Sequence, residues 1–417
     1  MPGIAAQRQA LFAQMLADPS DLDAAFRYAA LSAEAGDLEG AIATLERMLI
    51  FAPGLPRLQL ELGVLYFRLG AYDTARTYLE GALSSPETPD EVRERVRPFL
   101  AAVEDRSSLQ SLSGAVLLGG RYQSNANAAP ESRTVNLNGI DFLLGDAAIR
   151  SADVNGFASG TLRYVHALPG QGDRFEVNLQ SYGALYAERR ELDTILGEVT
   201  AGPVFDLRRW RFEGTYLGVY AILGGVMLDA DPYLVSGGVG TSLAKTFDPA
   251  TQGLLRAEYR REEFRDSALR PTASSRTGDR YSLSGLLEHR LSDTLSVFAI
   301  GSGERRDADA DFLSLWEGGA TLGVTKTFVP SFAWTEAPWS ATLSGGYAHR
   351  CYDDPDPIID RVRSERDDEF FAQAALSVPV NDRWSIQSIV GYRDLSSNYD
   401  LRSFSNVSAS LGVMRRF

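Results

Sequence analysis

The sequence predicts a short α-helical domain followed by an all-β transmembrane barrel, an up-and-down antiparallel sheet of about fourteen strands. Apolar residues recur with a period of 3.6 up to about Glu104 and with a period of two from Leu109 onward. The final segment, Asn406–Phe417, alternates apolar residues with serine and glycine and stops on an aromatic residue. These patterns divide the chain into a helical domain, residues 1–107, and a barrel, residues 108–417.

The composition excludes several classes of protein. Charged residues make up 23% and hydrophobic residues 44% of the 417, and no run reaches about 18 apolar residues, so neither a disordered chain nor transmembrane helices are expected. The net charge of −14 argues against nucleic-acid binding through long-range attraction. Cys351 is the only cysteine, so neither an intrachain disulfide nor a cysteine-based metal site can form.

The helical domain repeats itself at an interval of 34 residues, which is the spacing of tetratricopeptide repeats. Small or apolar residues recur at matching positions: Leu31 and Leu65, Gly36 and Gly70, Ala41 and Ala75, Leu45 and Leu79. The second copy has a small residue, Gly63, where the two helices of such a repeat cross closely. Two repeats, with further helices as caps, would form a short curved array.

The concave face of such an array can hold an extended peptide or the loops of a partner protein. We expect contacts there from Tyr28, Arg57, Glu61 and Tyr66. The alternative is that the helices serve as a spacer or as a plug that packs on the barrel.

The β region contains about fourteen segments in which apolar and polar residues alternate. The clearest is Phe175–Tyr186, which is longer than the usual 5–6 residues of a soluble strand and suits the about 9–11 residues of a membrane span. An even number of strands puts both ends of the barrel chain on the periplasmic side. The segments begin near Leu112, Val154, Arg174, Leu192, Trp210, Leu234, Gly253, Asp279, Thr294, Leu313, Trp339, Glu369, Trp384 and Leu401.

The predicted connections alternate in length, as they do in bacterial outer-membrane barrels. Short turn-forming clusters follow even-numbered strands, for example Pro169–Asp173 and Asn381–Arg383. Longer connections follow odd-numbered strands, for example Ser124–Asp153 and Tyr352–Asp368. Val329–Pro338 is long for a turn and breaks this rule.

Three tryptophans, Trp210, Trp339 and Trp384, are each predicted to open a strand directly after a short turn. This would place them at one height, as the aromatic belt of a membrane interface requires. Arg415 shares the parity of Phe417 and would face lipid, which suits only a position at the periplasmic rim.

The alternation also predicts which charged and polar side chains line the lumen. Both signs of charge occur in similar number, whereas a lumen that selects ions of one sign would be biased. A hydrated polar lumen and a network of ion pairs in a narrow lumen both fit this mixture. The predicted lumen residues are Arg121, Glu176, Asn178, Gln180, Arg256, Glu258, Arg260, Glu262, Glu288, Glu317, Arg350 and Arg393.

No pattern in the sequence indicates an enzyme or a cofactor site. Ser302 lacks the Gly-x-Ser-x-Gly spacing of hydrolases. His166, His289 and His349 are far apart in the sequence and have no evident partners. The acidic loop Cys351–Asp360 fits no calcium-binding motif. We therefore expect no catalytic residue, no cofactor and no bound metal.

The sequence predicts an outer-membrane location with the helical domain in the periplasm. Residues 1–9 lack a basic segment followed by an apolar one, so we expect that a signal peptide has been removed. The strand ending at Phe417 resembles the closing strand of bacterial outer-membrane barrels, whose terminal Phe is read by the barrel-assembly machinery. That machinery, membrane lipid and lipopolysaccharide are the expected partners. The last strand must pair with Leu112–Tyr122, because lipid does not tolerate an unpaired edge.

The first strand region contains Tyr122, Ser124, Asn125, Asn127 and Pro130 in the pattern Tyr-x-Ser-Asn-x-Asn-x-x-Pro. Tetratricopeptides, this motif and a barrel of about fourteen strands together resemble the surface lipoprotein assembly modulators (Slam). The resemblance covers the architecture of nearly the whole chain, although its motif covers only about a dozen residues and the helical domain is short. It implies a translocator that helps to move a surface lipoprotein or small secreted protein across the outer membrane. No catalytic residue is carried over.

Two other functions fit the same architecture. Exporters of exopolysaccharide also join tetratricopeptides to an outer-membrane barrel, although many more repeats and a lumen lined for one polymer are expected of them. A structural or general porin-type barrel is the third possibility. The mixed signs of the predicted lumen charges favour the protein-handling hypothesis.

Overall fold

The computed structural model describes residues 4–18, 20–52, 54–84, 88–107, 110–169, 172–333 and 337–417. The chain divides into two compact units, Met1–Leu109 and Gln110–Phe417. Helices make up the first unit, and a closed β-sheet makes up the second.

Helices of the first unit follow one another with short connections. Gly36 and Gly70 have φ values of +84° and +85°, which a glycine adopts easily where a helix ends and the chain turns. Within the described part of the chain, no helix is both long and apolar enough to cross a membrane. The helices are α1 (Ile4–Ala17), α2 (Leu22–Glu34), α3 (Leu38–Met48), α4 (Pro56–Leu69), α5 (Tyr72–Leu83) and α6 (Asp90–Ser107).

The small residues of the predicted repeat lie where its helices cross. Ala41, Ala75 and Leu79 are fully or almost fully buried in the two cores of this unit. A Cβ added to Gly63 of α4 would lie 2.6 Å from Cγ of Leu79 in α5. A glycine at this position therefore lets the two helices of the second repeat approach closely.

Fourteen strands of the second unit form one closed antiparallel barrel. This confirms the predicted fold class of a helical domain followed by an up-and-down barrel. Each barrel strand pairs with its neighbours in sequence, and β1 pairs with both β4 and β16. The barrel strands are β1 (Gln110–Gln123), β4 (Asp153–Ala167), β5 (Arg174–Tyr186), β6 (Thr194–Asp206), β7 (Thr215–Leu228), β8 (Asp231–Asp248), β9 (Thr251–Phe264), β10 (Gly278–Ser292), β11 (Leu295–Ala308), β12 (Leu315–Phe328), β13 (Trp339–Tyr352), β14 (Arg366–Pro379), β15 (Trp384–Ser397) and β16 (Phe404–Arg416); β2 (Thr134–Leu137) and β3 (Ile140–Leu143) form a separate hairpin.

The last strand closes the barrel against the first. The β1–β16 ladder runs from Ala115 opposite Arg416 to Gln123 opposite Ser408. Phe417 extends it, because its backbone N–H and carbonyl both bond to Gly114, at 3.0 and 2.9 Å. Phe417, predicted as an assembly signal, thus forms the last backbone pair of the closing seam.

Exposed apolar side chains cover the outward face of the wall, as lipid contact requires. On β1 these are Leu112, Val116 and Leu118, which alternate with residues that face inward. Aromatic side chains mark two heights along the strands. Trp339 and Trp384 open β13 and β15 at the end where β1 begins, here called the short-turn end. Around the opposite, long-loop end the outward aromatic residues are Tyr122, Tyr259, Tyr281, Trp316, Tyr347, Phe370 and Tyr392.

The predicted position of Trp210 at the start of a strand is wrong. Asp206 accepts a hydrogen bond from the N–H of Arg208 at 2.9 Å and winds Leu207–Trp210 into a 3₁₀ turn. The strand begins later, at Thr215. Trp210 still lies at the short-turn end. Arg415 lies there too, with its guanidinium carbon 5.5 Å from the ring centre of Trp384, so its charge is held at the rim.

The connections differ in length largely as predicted. Of the predicted turn Pro169–Asp173, Gly170 and Gln171 lie outside the described residues. Phe332, in the long connection Val329–Pro338, packs its ring on Trp339 with centroids 5.6 Å apart, which adds to the aromatic belt. One connection at the long-loop end departs from the rule, because only Asp229 and Ala230 join β7 to β8.

Three connections at the long-loop end fold against one another. Asn138, between β2 and β3, accepts a bond from the N–H of Arg361 and donates its own N–H to the carbonyl of Ile359. Tyr399 is 2% exposed. Its hydroxyl donates to the carbonyl of Arg363 at 2.6 Å and accepts from the N–H of Asp356 at 3.1 Å. These loops, residues 124–152, 353–365 and 398–403, are called the loop cap below.

The loop cap is expected to loosen as the pH rises through neutrality. Glu365 is 5% exposed, and burial, together with the nearby carboxylates of Asp367 and Asp356, raises its pKa to about 7 against the opposing charge of Arg402. A carboxyl group whose pKa is raised by folding contributes stability below its unfolded pKa and loses it as the pH rises through the folded value. We compare the exchange rate of loop-cap amide hydrogens in the wild type with that in Glu365→Gln. From pH 6 to pH 8 we expect the ratio of the two rates to rise roughly tenfold.

Hydrogen–deuterium exchange by mass spectrometry of both proteins at each pH measures this effect. The glutamine variant is the control, because it keeps the neutral form at every pH and removes the intrinsic pH dependence of exchange from the comparison. Equal exchange of the two proteins at pH 8 would contradict the prediction.

Candidate functional site

All twelve predicted lumen residues lie on the side of the wall opposite the exposed apolar side chains. On β9, for example, Leu255 and Tyr259 are exposed on the outward face, so Arg256, Glu258 and Arg260 project into the barrel by the alternation of a strand. The same alternation holds on the other six strands that carry predicted residues. Their geometry separates into three networks of charges and two cavities.

The first network crosses two intervening strands. The Arg260 guanidinium on β9 binds Glu198 on β6, and it also donates to Glu258 at 2.8 Å. The hydroxyl of Tyr220 on β7 donates to Glu258 at 2.9 Å. These long side chains therefore lie along the wall instead of pointing at the barrel axis.

Glycines on β8 make room for this network. A Cβ added to Gly240 would lie 2.4 Å from the ring of Tyr220, and one added to Gly238 would lie 2.1 Å from the backbone carbonyl oxygen of Tyr259. The inward face of β8 also carries Ser236 and Ser242, which are small. We call the inward residues Ser236, Gly238, Gly240 and Ser242 the β8 floor. Because they are small, the side chains of β7 and β9 can extend over them.

Two further networks follow the wall from β9 to β15. In one, Arg280 joins Glu262 (3.3 Å) to Glu304 (2.7 Å), and Arg306 donates to the same Glu304 at 3.0 Å. In the other, Arg350 binds both Glu317 and Glu369, and Arg393 donates to Glu369 at 3.0 Å. Most lumen charges therefore neutralise a neighbour on an adjacent strand.

The remaining predicted residues lie between these networks. The Arg121 guanidinium carbon lies 5.0 Å from the ring centre of Phe157, and Arg121 also donates to the hydroxyl of Tyr182 at 3.3 Å. Glu176 accepts from Arg163 at 2.7 Å and from Arg174. Glu176, Asn178, Gln180, Arg256 and Glu258 line one cavity of about 420 Å³. Glu288 accepts from Gln252 at 2.9 Å and lines a second cavity, of about 290 Å³, near the short-turn end.

Sequence reasoning missed several partners of these residues: Arg163, Arg174, Glu198, Arg280, Glu304, Arg306 and Glu369. Parity alone could have found Arg280, which shares a strand face with Glu288. Glu198 lies in a segment of mostly small and apolar residues, where a single charge gives little indication of its direction.

The helical unit has a groove between α2 and α4, about 320 Å³ in volume, that contains two of the four predicted binding residues. Arg57 and Glu61 line it together with Phe26 and Arg68. The Arg57 guanidinium carbon lies 4.9 Å from the ring centre of Phe26. Arg95 of α6 binds Glu61 at 3.1 Å. The groove thus offers one aromatic ring and charges of both signs.

The other two predicted binding residues do not line this groove. Tyr66 stacks on Tyr78 with ring centres 5.5 Å apart, and its hydroxyl donates to Glu46 at 2.6 Å. This bond to a carboxylate, with partial burial, raises the pKa of Tyr66 to about 12. Tyr28 packs against the core of the same unit beside Phe12. Both tyrosines hold helices together.

The expectation that no histidine has a partner is wrong for His289, whose Nδ1 lies 2.9 Å from Oγ1 of Thr251, and for His349. Its Nδ1 lies 2.8 Å from Oδ1 of Asp368, and its Nε2 lies 3.1 Å from Sγ of Cys351. Among the residues that the structure describes, no group of three or more His, Cys, Asp or Glu side chains is arranged to hold a metal ion.

One family model matches part of the chain. A family model described as tetratricopeptide repeat matches residues 33–90, which confirms the predicted repeat in that region. No curated protein matches the chain.

Solved structures resemble the two units separately. A bacterial polysaccharide outer membrane secretin is 10% identical and covers 73% of this chain and 98% of its own, with a TM-score of 0.40. The outer membrane channel DcaP of Acinetobacter baumannii is 10% identical over 74% of this chain and 97% of its own, with a TM-score of 0.41. PcrH, in complex with the chaperone binding region of PopD, is 19% identical over 24% of this chain and 78% of its own, with a TM-score of 0.23.

Proposed function

We propose that the protein is an outer-membrane translocator that helps to move a protein substrate, a surface lipoprotein or small secreted protein, across the outer membrane. The helical unit receives the substrate or a partner in the periplasm. The observation that carries the proposal is the pairing of lumen charges, combined with a helical groove that suits a peptide.

The paired charges suit a substrate whose own charge varies along its length. A lumen that presents one sign would attract one class of ion and hold back polypeptide segments of the same sign. The network of Arg280 and Arg306 and the network of Arg350 and Arg393 each contain two arginines and two glutamates, and so carry no net charge. A passing chain with both signs then meets no strong barrier from either.

The topology supports a periplasmic position for the helical unit. The number of barrel strands is even, and both β1 and β16 have their outer chain ends at the short-turn end. In bacterial barrels short turns face the periplasm. The polypeptide that precedes Gln110 would therefore enter the barrel from that side.

Exopolysaccharide export is the second candidate, and the inward aromatic rings favour it. Phe157, Tyr182 and Tyr220 face the lumen on β4, β5 and β7, and Arg121 packs against the first two. Rings with nearby polar groups offer the surface on which sugars stack. A single short array of helical repeats and the mixed charges favour the protein substrate.

Photo-crosslinking in the native cells distinguishes the two candidates. A crosslinking amino acid is placed in the helical groove at Glu61 and in the lumen at Gln180. We expect the same polypeptide to be captured at both positions and to be found at the cell surface, where its amount falls when residues 1–105 are deleted.

The controls are Glu80 on an exposed side of α5 and Leu179 on the lipid side of β5. Capture of a glycan at Gln180, with no polypeptide, would favour polysaccharide export. Normal surface delivery of the captured polypeptide without residues 1–105 would contradict the receiving role of the helices.

A further inference from the structure

Three side chains on the outward face of the barrel have the geometry of a nucleophile, a base and an orienting acid. Cys351 Sγ lies 3.1 Å from Nε2 of His349, and Nδ1 of His349 lies 2.8 Å from Oδ1 of Asp368. The hydroxyl of Tyr347 donates to the same oxygen of Asp368 and fixes it. In such a triad the base takes the proton of the nucleophile, and the acid holds the base in the required orientation.

The strand pairing explains why these residues meet. His349 and Cys351 are two apart on β13 and so share its outward face. His349 lies directly opposite Asp368 of β14 in the ladder, and Tyr347 lies opposite Phe370. The outward direction follows from the exposed Leu343 on the same face of β13. Four side chains of two neighbouring strands therefore form one cluster on the lipid side.

The cluster lies at the depth of lipid ester groups. Cys351 is the penultimate residue of β13 at the long-loop end and pairs with Trp316 on β12. Trp316, Tyr347 and Phe370 belong to the outward aromatic belt, which in membrane proteins marks the interface between hydrocarbon and headgroups. An acyl ester of a lipid beside the barrel would therefore stand at the height of the thiol.

An apolar groove lies directly below the cluster on the same outer face. It is about 730 Å³ in volume, and among its lining residues are Leu287, Leu322, Leu343, Gly345 and Ala372. Gly345 and Ala372 form an outward pair of the β13–β14 ladder, four residues from His349 and Asp368. At the rise of a β-strand this places the groove about 14 Å below the triad. An acyl chain whose ester group lies at Cys351 would reach into the groove.

From this geometry we propose that Cys351, His349 and Asp368 form an acyl-transfer site that cleaves a long-chain acyl ester of a lipid in the outer membrane. The site is separate from the lumen and does not depend on the function proposed above. The shared chemistry is the acyl ester; its source is a glycerophospholipid or the lipid part of lipopolysaccharide.

In the first half of the reaction the thiol proton passes to Nε2 of His349, and Sγ attacks the ester carbonyl carbon. A C–S bond forms, and the carbonyl electrons move to oxygen. The exposed Arg366, which lies opposite Cys351 on the same face, is placed to stabilise this oxyanion. The C–O bond then breaks, and His349 returns the proton to the leaving alcohol oxygen, which leaves a thioester on Cys351.

In the second half water attacks the thioester carbonyl carbon while His349 takes one of its protons. The C–S bond breaks, a free fatty acid departs, and the proton on His349 returns to the thiolate. Asp368 acts throughout as a positioning residue, because it holds the ring of His349 by its Nδ1 and touches neither the substrate nor the thiol.

The test uses the full chain folded into two kinds of vesicle, one of phosphatidylethanolamine with phosphatidylglycerol and one that also contains lipopolysaccharide. We expect a folded protein that gains one acyl group, removable by neutral hydroxylamine, and releases fatty acid. The vesicle in which this happens identifies the source of the acyl group. Because Cys351 is the only cysteine, a thioester can form nowhere else.

Three variants test the roles of the triad. Cys351→Ala should abolish acylation, and His349→Ala and Asp368→Asn should slow it by roughly 10²–10⁴-fold. His166→Ala is the matched control, since His166 lies on the outward face of β4 and lines neither the triad nor the groove, and it should leave the rate unchanged. Heat-modifiable migration on gels verifies that each variant is folded.

Alkylation of Cys351 by iodoacetamide gives a readout that needs no lipid. We expect the alkylation rate to fall in His349→Ala, because the base that takes the thiol proton is then missing. The proposal is overturned if folded wild-type protein forms no acyl-enzyme and releases no fatty acid in either vesicle. Fatty-acid release by Cys351→Ala at the wild-type rate would also overturn it.

Discussion

A barrel that carries Gly238→Val is expected to lose most of its folded population. Gly238 belongs to the β8 floor, and an added Cβ would lie 2.1 Å from the carbonyl oxygen of Tyr259 on β9, closer than such atoms approach in proteins. The backbone of β8 or β9 must then shift, because a carbonyl in a sheet ladder cannot rotate away. Overpacking of this kind costs roughly 3 kcal/mol, and more where the backbone itself has to move.

Heat-modifiable migration of the refolded protein measures the effect, as the fraction in the folded band. The adjacent Gly237→Val is the matched control, since its nearest contact would be the carbonyl oxygen of Ile222, at 4.0 Å. Gly237 also points to the lipid side, where a valine suits its surroundings. If the two variants fold equally well, the packing of β8 against β9 is not as described.

Arg260→Met is expected to make the lumen prefer cations and to lower the melting temperature of the barrel. Methionine fills a similar volume, but it leaves Glu198 and Glu258 without the guanidinium that joins them. Removing one partner of a buried ion pair costs about 3–5 kcal/mol, and the partial exposure of these groups reduces the expected loss to about 2 kcal/mol. The two freed carboxylates would attract cations into the lumen.

The reversal potential of the protein in a planar bilayer under a salt gradient measures the selectivity, and thermal melting measures the stability. Arg163→Met is the control in the same lumen. Its side chain is half exposed, and Glu176 keeps its bond to Arg174, so the change in stability should stay within about 1 kcal/mol. Equal shifts of both variants would show that the long bridge has no special role.

The strands were predictable because each is longer than a soluble strand and keeps a period of two across its whole length. The start of β7 was not predictable, because the sequence before Trp210 is typical of a two-residue turn made by two arginines. The hydrogen bond of Asp206 to the backbone instead extends this turn by several residues. Local capping of this kind leaves no periodic trace in a sequence.

Parity predicted which side chains face the lumen, but it could not predict their partners. The bond of Arg260 to Glu198 skips two strands, and it depends on glycines in β8 whose effect on the wall is visible only in three dimensions. Glu369 was missed for a different reason. The predicted strand began at this residue, so its side chain had no alternation before it from which a direction could be read.

The cluster of His349, Cys351 and Asp368 on the outward face shows most clearly what could not be predicted from the sequence. His349 and Cys351 lie two residues apart on β13, whereas Asp368 follows the long connection to β14. The register of β13 and β14 could be assigned only when both ends of this connection were known. A shift of one residue would have turned the carboxylate to the lumen. The observed pairing of His349 with Asp368 is therefore information that the structure adds.

The two-residue connection between β7 and β8 makes the long-loop end of the barrel lower on one side than on the other. Asp229 and Ala230 turn the chain with φ values of +52° and +62° and rise little above the wall. In the strand order, β7 and β8 lie nearly across the barrel from β14, β15, β16 and β1, which carry the loop cap. The rim is thus high on one side and notched on the other. Under the proposed translocation function, cargo would have its widest clearance over this notch, and a receiving partner would stand on that side.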